Sequence, residues 1–259
     1  MNKKILLTAF AACAASLMSF SAPGNEIGSP DVIAKYTAEP VRLDGKLDEG
    51  AWGKARSYSL SIPLKARFGM PESMLKNVDG NLQEKSAVKL LWDDNYLYVG
   101  AEFEDSDVVQ EGKEDQGHFY TTGDLLEVFL KPAEGNYYWE IYGTPNNKKT
   151  WFSLPSRGRL LFPACASYLP ENFKVAASVD GTLNNWKDKD KRWTVEMAIP
   201  IKELTVYGAK FDNSANWTIL LARYNYSVYL QGAELSAYPQ LSNVNWHLYE
   251  EYAKLRLEK

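Results

Sequence analysis

Two glutamates could carry chemistry, because each lies inside a short apolar segment with the alternation of a β-strand. Glu127 lies in DLLEVFL and Glu140 in YYWEIYG. A glycoside hydrolase needs two carboxyl groups about 5–10 Å apart across the sugar bond, so this pair is a candidate for hydrolysis. Alternatively, both side chains point outward from their strands into solvent. Spacing along the chain does not distinguish these interpretations.

Aromatic residues are abundant, with 8 tryptophans and 16 tyrosines. Trp92, Trp193 and Trp217 lie in or at the ends of predicted strands, where aromatic rings fit a half-buried surface. Other tryptophans lie in or beside predicted loops, where we expect more exposure: Trp139, Trp151, Trp186 and Trp246. An exposed ring can stack on the C–H face of a sugar while amides and carboxylates bond its hydroxyls, or it can pack as a lid over the core.

The sequence offers few residues for metal chemistry. It contains no nucleophile elbow, Walker loop, paired CxxC or HExxH motif, which removes the common enzyme classes. A zinc site would have to use His118, His247 and Cys165. Haem would take axial ligands from the same residues or from a methionine, for which the candidates are Met70, Met74 and Met197.

Acidic residues are dense in SVDGTLNNWKDKDKRW, which contains Asp180, Asn184, Asp188 and Asp190. Calcium takes six to eight oxygen ligands, so the three aspartates are weak candidates for a calcium site. The spacing does not match an EF-hand, and lysines are interleaved. We therefore favour a solvated hairpin turn.

The elements that must position these residues are short strands. AVKLLWDDNYLYVGAEFED predicts a hairpin with its turn at 93–95, and further strands are predicted from Leu125, Tyr137, Phe173, Arg192 and Asn216. Helical patterns are short: one has Asp48 as its predicted N-cap, one follows Pro200, and EEYAK predicts one turn. Segments 64–86 and 144–172 are predicted to be long loops. The fold class is all-β, a two-sheet antiparallel β-sandwich of jelly-roll or immunoglobulin-like type.

The N-terminal segment predicts export. Residues 1–22 have two lysines, an apolar run and small residues, in the order of a signal peptide, and Cys13 offers an alternative lipoprotein signal. Residues 23–259 are predicted to form a single domain without a transmembrane span. Cleavage would remove Lys3 and Lys4 and shift the formal net charge from -4 to about -6, which argues against nucleic acid as a partner.

Five segments together resemble the carbohydrate-binding module family 9 domains, which are related to the wider DOMON-type group of β-sandwiches. In chain order they are VRLDGKLDEGAWGKA, VKLLWDDNYLYVGAEFEDSDV, GDLLEVFLKP, WTVEMAIPIKEL and NWHLYEEYAKLRL. The resemblance spans residues 41–257. It implies a two-sheet antiparallel sandwich in which two aromatic rings clamp a sugar and polar side chains bond it.

The resemblance also implies site residues. The second clamp tryptophan falls on Trp246 and its asparagine neighbour on Asn243, while the strand carboxylate falls on Glu127 with Asp124 as the leading acid. Two positions depart from the family pattern. Phe119 or Tyr120 would replace the first clamp tryptophan, and Glu140 stands approximately where the sugar-binding members have an arginine.

The resulting hypothesis is an exported, non-catalytic carbohydrate-binding domain that supports polysaccharide capture or breakdown. Trp246 with Tyr120 or Phe119 would stack on the sugar, and the predicted polar partners are Asn243, Glu127, Glu140 and Asp124. His247 is interpreted as an orienting or packing residue. The alternatives are a glycoside hydrolase using Glu127 and Glu140 and a haem-binding electron-transfer domain. No cofactor is expected, apart from the weak calcium candidates.

Overall fold

The computed structural model describes residues 30–64, 82–159, 162–230 and 232–259. The predicted export signal over residues 1–22, with Cys13, lies outside the described residues, as do Met70, Met74 and most of the predicted loop 64–86. Within the described ranges, no helix has both the length and the apolar character needed to cross a bilayer.

Twelve strands provide most of the regular structure in the described ranges. They are β1 (Asp31–Tyr36), β2 (Ser57–Ser59), β3 (Ser86–Trp92), β4 (Tyr96–Glu104), β5 (Leu125–Pro132), β6 (Tyr138–Gly143), β7 (Lys149–Leu154), β8 (Lys174–Asp180), β9 (Arg192–Pro200), β10 (Trp217–Asn225), β11 (Glu234–Tyr238) and β12 (Ala253–Glu258). The predicted hairpin is confirmed as β3, a turn at 93–95 and β4.

The helices in the described part of the chain are single turns: α1 (Gly50–Lys54), α2 (Phe162–Cys165) and α3 (Ile201–Leu204), with 3-10 turns at Phe119–Thr121 and Tyr249–Glu251. The prediction of Asp48 as an N-cap is wrong, because α1 begins one residue later with Glu49 as its N-cap. Pro200 does precede α3, as predicted. The predicted turn EEYAK is only partly helical, since Ala253 already begins β12.

Hydrogen bonds join the strands in the order β7, β6, β5, β10, β12, β1, β3, β4, β9, β8, with β11 on β10 and β2 on β3. The path folds into two facing layers. We call β7, β6, β5 and β10 the first layer and β3, β4, β9 and β8 the second layer. Strands β12 and β1 connect them along one side, and the predicted β-sandwich is confirmed.

The antiparallel prediction fails for β1. This strand runs parallel to β12, from Asp31 opposite Lys254 to Lys35 opposite Glu258, and parallel to β3 at its end. Strands β1 and β12 lie far apart in the chain, so no hairpin dictates their relative direction.

The core lies between the two layers. Val128, Ile141 and Leu221 of the first layer belong to the same buried cluster as Val99 and Val195 of the second. The layers approach closely at Gly143, where an added Cβ atom would lie 3.2 Å from side-chain atoms of Val195 and Met197. This dense contact leaves no space for a ligand at that point between the layers.

Three of the four tryptophans that were expected to be exposed are buried, and two of these three, Trp139 and Trp151, lie in the core between the layers. Trp139 and Trp151 are only 2% and 1% exposed, because they point from β6 and β7 into the core. The prediction of a loop over 144–172 missed β7. Its flanking lysines and asparagines gave it the composition of a loop, whereas pairing with β6 makes it a strand. Trp186, by contrast, is exposed as expected.

A buried ion pair connects the layers at one end of the sandwich. Nη2 of Arg223 on β10 donates to Oδ2 of Asp105 at 3.0 Å, and both side chains are at most 1% exposed. Trp193 Nε1 donates to the same carboxylate oxygen at 3.1 Å, and the guanidinium lies over the Phe103 ring. Several partners thus compensate for the desolvation of both charges.

Asp105→Asn should destabilise the fold by about 3 kcal/mol or more, because the buried guanidinium of Arg223 would lose its opposite charge. The measurement is the free energy of unfolding in urea. Glu102→Gln is the control, since Glu102 pairs with Arg192 at 3.6 Å on an exposed surface and should change stability by less than about 1 kcal/mol. Equal losses in the two variants would show that the buried pair has no special role.

Candidate functional site

Strand alternation places both glutamates on the outer face of the first layer. On β5, Leu126 and Val128 point into the core, so Glu127 and Phe129 face the other side. On β6, Glu140 and Tyr142 share that outer face for the same reason. Because Glu127 pairs with Tyr142, and Phe129 with Glu140, the two glutamates are diagonal neighbours on adjacent strands.

The outer face is not exposed to solvent as a simple strand pattern would predict. Glu127 is 1% exposed and Glu140 is 9% exposed. The interpretation that these glutamates point into solvent is therefore wrong. Two segments cover them: the turn at 118–121 and the C-terminal segment 241–252, which contribute Phe119, Leu241 and Trp246 to a second buried cluster.

The C-terminal segment 241–252 is held in place by its own polar contacts. Ser242 donates to both carboxylate oxygens of Glu251, through its backbone N–H at 2.7 Å and its hydroxyl at 2.6 Å. The Tyr252 hydroxyl donates to the carbonyl of Trp246. Arg157 makes a bidentate pair with Glu250 at 2.7 Å. The segment thus has defined anchors at its two ends.

A cavity of about 330 Å³ lies between this segment and the sheet, near the lower end of the range for small-molecule sites, about 300–1,000 Å³. Its lining is mostly aromatic, with two acids and two histidines. The lining residues are His118, Tyr120, Glu127, Phe129, Glu140, Tyr142, Phe152, Leu154, Cys165, Tyr224, Val244, Asn245, Trp246 and His247.

In this lining, the acceptor Oε2 of Glu127 and the donor Nε1 of Trp246 are buried and make no hydrogen bond. Nε1 lies near enough to Tyr224 to oppose the rise in the pKa of that hydroxyl, but not in hydrogen-bonding geometry. Glu140, in contrast, accepts a short hydrogen bond from the Tyr142 hydroxyl. Buried polar atoms without partners are uncommon, and a polar ligand would satisfy both.

Burial controls the ionisation of the site. It raises the pKa of Glu140 to about 7, although the Tyr142 hydrogen bond acts in the opposite direction. Burial and then the charge of Glu140 raise the pKa of Glu127 well above its usual range. Burial lowers the pKa of both His118 and His247, with Arg157 adding to the effect at His247. At neutral pH the histidines are thus mainly uncharged.

The aromatic rings form a cluster and not two exposed parallel plates. Trp246 is 5% exposed and meets the Tyr224 ring edge to face, with centroids 6.2 Å apart. Tyr120 lies on Tyr224 with centroids 5.7 Å apart and ring planes inclined by 35°. Tyr224 therefore contacts both predicted clamp residues.

The structure brings four of the seven predicted site residues to the cavity: Trp246, Tyr120, Glu127 and Glu140. The other three do not line it. Phe119 is buried below the turn. Both oxygens of Asp124 accept backbone N–H groups, those of Val109 and Tyr226, at 2.7 Å. Asn243 also lies outside the lining, whereas Asn245 of the same segment is part of it.

Sequence reasoning missed Phe129, Tyr142, Phe152, Tyr224 and Asn245. A usable pattern existed for two of them. Phe129 and Tyr142 lie two residues after Glu127 and Glu140, so each must share a sheet face with its glutamate. No local pattern identified Tyr224, because only its pairing through β10 places it beside β5.

The candidates for metal binding are not gathered into a site. Asp190 accepts the backbone N–H groups of Val108 and Thr182, and Asp188 accepts from the Asn185 side chain. Asp180 lies near Lys191 and Arg192 instead. The segment that joins β8 to β9 is a mostly exposed hairpin turn, as the sequence predicted, except that the Asp190 side chain at its end is buried.

His118, His247 and Cys165 all line the cavity, yet they are not close enough together to share an ion. Across the part of the chain that the structure describes, no group of three or more histidine, cysteine or acidic side chains is arranged to hold a metal. Nδ1 of His247 instead lies 2.9 Å from the Tyr138 hydroxyl. This contact fits the predicted orienting or packing role for His247.

The raised pKa of Glu140 predicts a pH dependence of stability. The folded state binds the carboxyl proton of Glu140 more tightly than the unfolded chain does, because the pKa of this group in the unfolded chain is near 4.5. The stabilising contribution is therefore present below about pH 4.5 and is lost as the pH rises through about 7.

Between about pH 5 and pH 8, the titration of Glu140 should lower the free energy of unfolding of the unchanged chain by about 2–3 kcal/mol. The Glu140→Gln variant should not show this decrease. The measurement is urea unfolding of both proteins at several pH values. Other buried acids, such as Glu196 with a pKa raised to about 7, titrate in both proteins, so the difference between them isolates Glu140. Parallel pH curves would contradict the assignment.

Comparisons with known proteins agree with this architecture. The solved structure of a protein from Bacteroides uniformis ATCC 8492, described as a candidate carbohydrate-binding protein, matches with a TM-score of 0.62 at 10% identity, covering 88% of this chain and 99% of that one. A carbohydrate-binding module family 9 from Caldicellulosiruptor kristjanssonii also matches. Its cellotriose complex gives a TM-score of 0.53 at 17% identity, covering 88% and 93% of the two chains.

The glucose complex of a carbohydrate-binding module family 9 from the same organism matches with a TM-score of 0.54 at 16% identity, covering 88% of this chain and 95% of the other. At such low identity these likenesses show the fold alone. Curated proteins give no significant match. The model of the family described as "Carbohydrate family 9 binding domain-like" matches residues 43–225. The chain therefore belongs to the carbohydrate family 9 binding domain-like family.

Proposed function

We propose that this chain is an exported, non-catalytic protein that binds a sugar unit in the cavity between the C-terminal segment 241–252 and the outer sheet face. One observation carries the proposal: an unpaired acceptor, Oε2 of Glu127, and an unpaired donor, Nε1 of Trp246, line the same aromatic cavity. A sugar hydroxyl is both donor and acceptor, so a polyhydroxylated ring can satisfy both atoms.

The cavity lining suits the two kinds of surface on a sugar. Trp246, Tyr224 and Phe129 provide apolar ring surfaces for the C–H groups of a pyranose. Glu127, Glu140 and Asn245 provide polar atoms for its hydroxyls. Its volume of about 330 Å³ favours one sugar unit over a long oligosaccharide.

Family and cell location give the proposal its context. Carbohydrate binding is the family's described function, and the relatives from Caldicellulosiruptor kristjanssonii were solved with cellotriose and glucose. The N-terminal signal over residues 1–22 supports a periplasmic, secreted or, if Cys13 is lipidated, outer-membrane-anchored protein. Such a protein would capture the products or ends of a polysaccharide and support its breakdown.

The expected affinity is modest. Each ring contact contributes on the order of 1 kcal/mol and each hydrogen bond about 0.5–1.5 kcal/mol, before the cost of association is subtracted. The dissociation constant should therefore lie between about micromolar and millimolar.

Trp246→Phe should weaken sugar binding about fivefold to tenfold, because it keeps an apolar ring but removes the Nε1–H donor. Trp246→Ala should abolish measurable binding. The measurement is calorimetric titration with a panel of mono- and oligosaccharides that includes glucose and cellotriose.

The matched control is Trp186→Ala, since Trp186 is 63% exposed and is not part of the cavity lining. Its affinity should equal that of the unchanged chain. Because Trp246 is also part of a buried cluster, circular dichroism must show that each variant is folded. Full affinity in a folded Trp246→Ala variant, or no binding of any sugar by the unchanged chain, would refute the proposal.

A glycoside hydrolase is the second candidate, because two buried carboxyl groups with raised pKa values line one cavity. Their placement favours binding instead. Hydrolysis requires carboxyl groups on either side of the scissile bond, whereas Glu127 and Glu140 both rise from one sheet face.

Chromogenic glycosides test this second candidate. We expect no product release above buffer from the unchanged chain. Release that disappears in Glu127→Gln, with Glu102→Gln as the exposed control, would instead identify an enzyme.

A further inference from the structure

The acids that line the cavity have no basic partner in the lining. Glu127 and Glu140 are its acids, and none of the described residues that line it is a lysine or arginine. Two basic side chains approach the C-terminal segment from outside, but their charged ends are occupied. Arg157 is bonded to Glu250, and Lys131 donates to two backbone carbonyls. Among the described residues, none therefore supplies a cation that would balance Glu127 and Glu140 in their ionised forms.

Of the two acids, Glu127 has the buried oxygen without a hydrogen-bond partner, whereas Glu140 accepts from Tyr142. The Glu127 side chain is almost completely removed from water. A neutral hydroxyl would give it one hydrogen bond but no opposite charge. A protonated amine has three N–H donors and a positive charge, and hydrogen bonds between charged groups are about twice as strong as neutral ones.

The aromatic lining also suits a positive charge. The ring faces of tryptophan, tyrosine and phenylalanine attract cations within about 6 Å of their centres. Phe129 lies two residues from Glu127 on the same face of β5, and Trp246 and Tyr224 meet edge to face beside it in the lining. Burial raises the pKa of Glu127 and Glu140 in the free chain, and a bound ammonium group would favour their ionised forms. The two acids and the ring faces of the same cavity can therefore both compensate its positive charge.

We infer that the sugar bound in this cavity is an amino sugar with an unsubstituted, protonated amine, which Glu127 and Glu140 hold while the aromatic rings cover the pyranose. This inference rests on the proposed function, because it names the class of sugar for the same site. A simple amine without hydroxyl groups shares the charge but not the ring, so it must be compared directly.

The experiment is calorimetric titration of the full chain at about pH 7 and constant ionic strength with glucosamine, N-acetylglucosamine, glucose and cyclohexylamine. Glucosamine should bind about tenfold more tightly than glucose. N-acetylglucosamine should lose this advantage because acetylation removes the charge, and cyclohexylamine should bind more weakly than glucosamine because it lacks the hydroxyls.

The variant Glu127→Gln should bring the ratio of glucosamine to glucose affinity close to one, since it keeps the shape of the side chain and removes its charge. Glu102→Gln is the matched control, because Glu102 is an exposed strand glutamate of the second layer, and its ratio should not change. A Glu127→Gln variant that is folded and retains the full preference would overturn the inference.

The outcomes distinguish a failure of the amino-sugar inference from a failure of the proposed carbohydrate binding. Glucose bound as tightly as glucosamine would overturn the amino-sugar inference and leave carbohydrate binding intact. Cyclohexylamine bound as tightly as glucosamine would overturn it as well, because the ring hydroxyls would then play no part. No binding of any sugar would refute both.

Discussion

The two-residue alternation of β5 and β6 is the constraint on which the rest of the structure depends. All residues of both strands are buried, so each strand has one face in the core and one face in the site. A shift of one residue in either strand would move Glu127 or Glu140 into the core and bring Val128 or Ile141 to the cavity. Core packing and site geometry are thus fixed by the same register.

The site is maintained against an electrostatic cost. Burial is the largest influence on the pKa of both Glu127 and Glu140, and it acts against their charged forms. Elsewhere the fold compensates its buried charges internally, as Arg223 and Trp193 do for Asp105. Unpaired buried polar atoms also occur outside the cavity, for example Nε of Arg223 and Oδ1 of Asn225, but those of Glu127 and Trp246 belong to the lining of one cavity, where a ligand could reach both.

Much of the architecture could be predicted from the sequence, since the strands with clear alternation were identified, including the β3–β4 hairpin and the strands that carry both glutamates. β7 was missed because lysines and asparagines flank its apolar centre, and the burial of Trp151 was missed with it. The strand pattern led to the two glutamates, and the family resemblance led to Trp246 and Tyr120. Phe119, Asp124 and Asn243 were also expected there, but they lie outside the cavity lining.

By itself the sequence determined the local elements and which side chains share a strand face, because alternation is a property of neighbouring residues. Only the tertiary structure decided that the outer face of the first layer is covered, that Tyr224 joins Trp246 to Tyr120, and that β1 runs parallel to β12. These features depend on contacts between residues distant in the chain. The burial that changes two strand glutamates into a candidate binding site is therefore a long-range effect, and no local pattern encodes it.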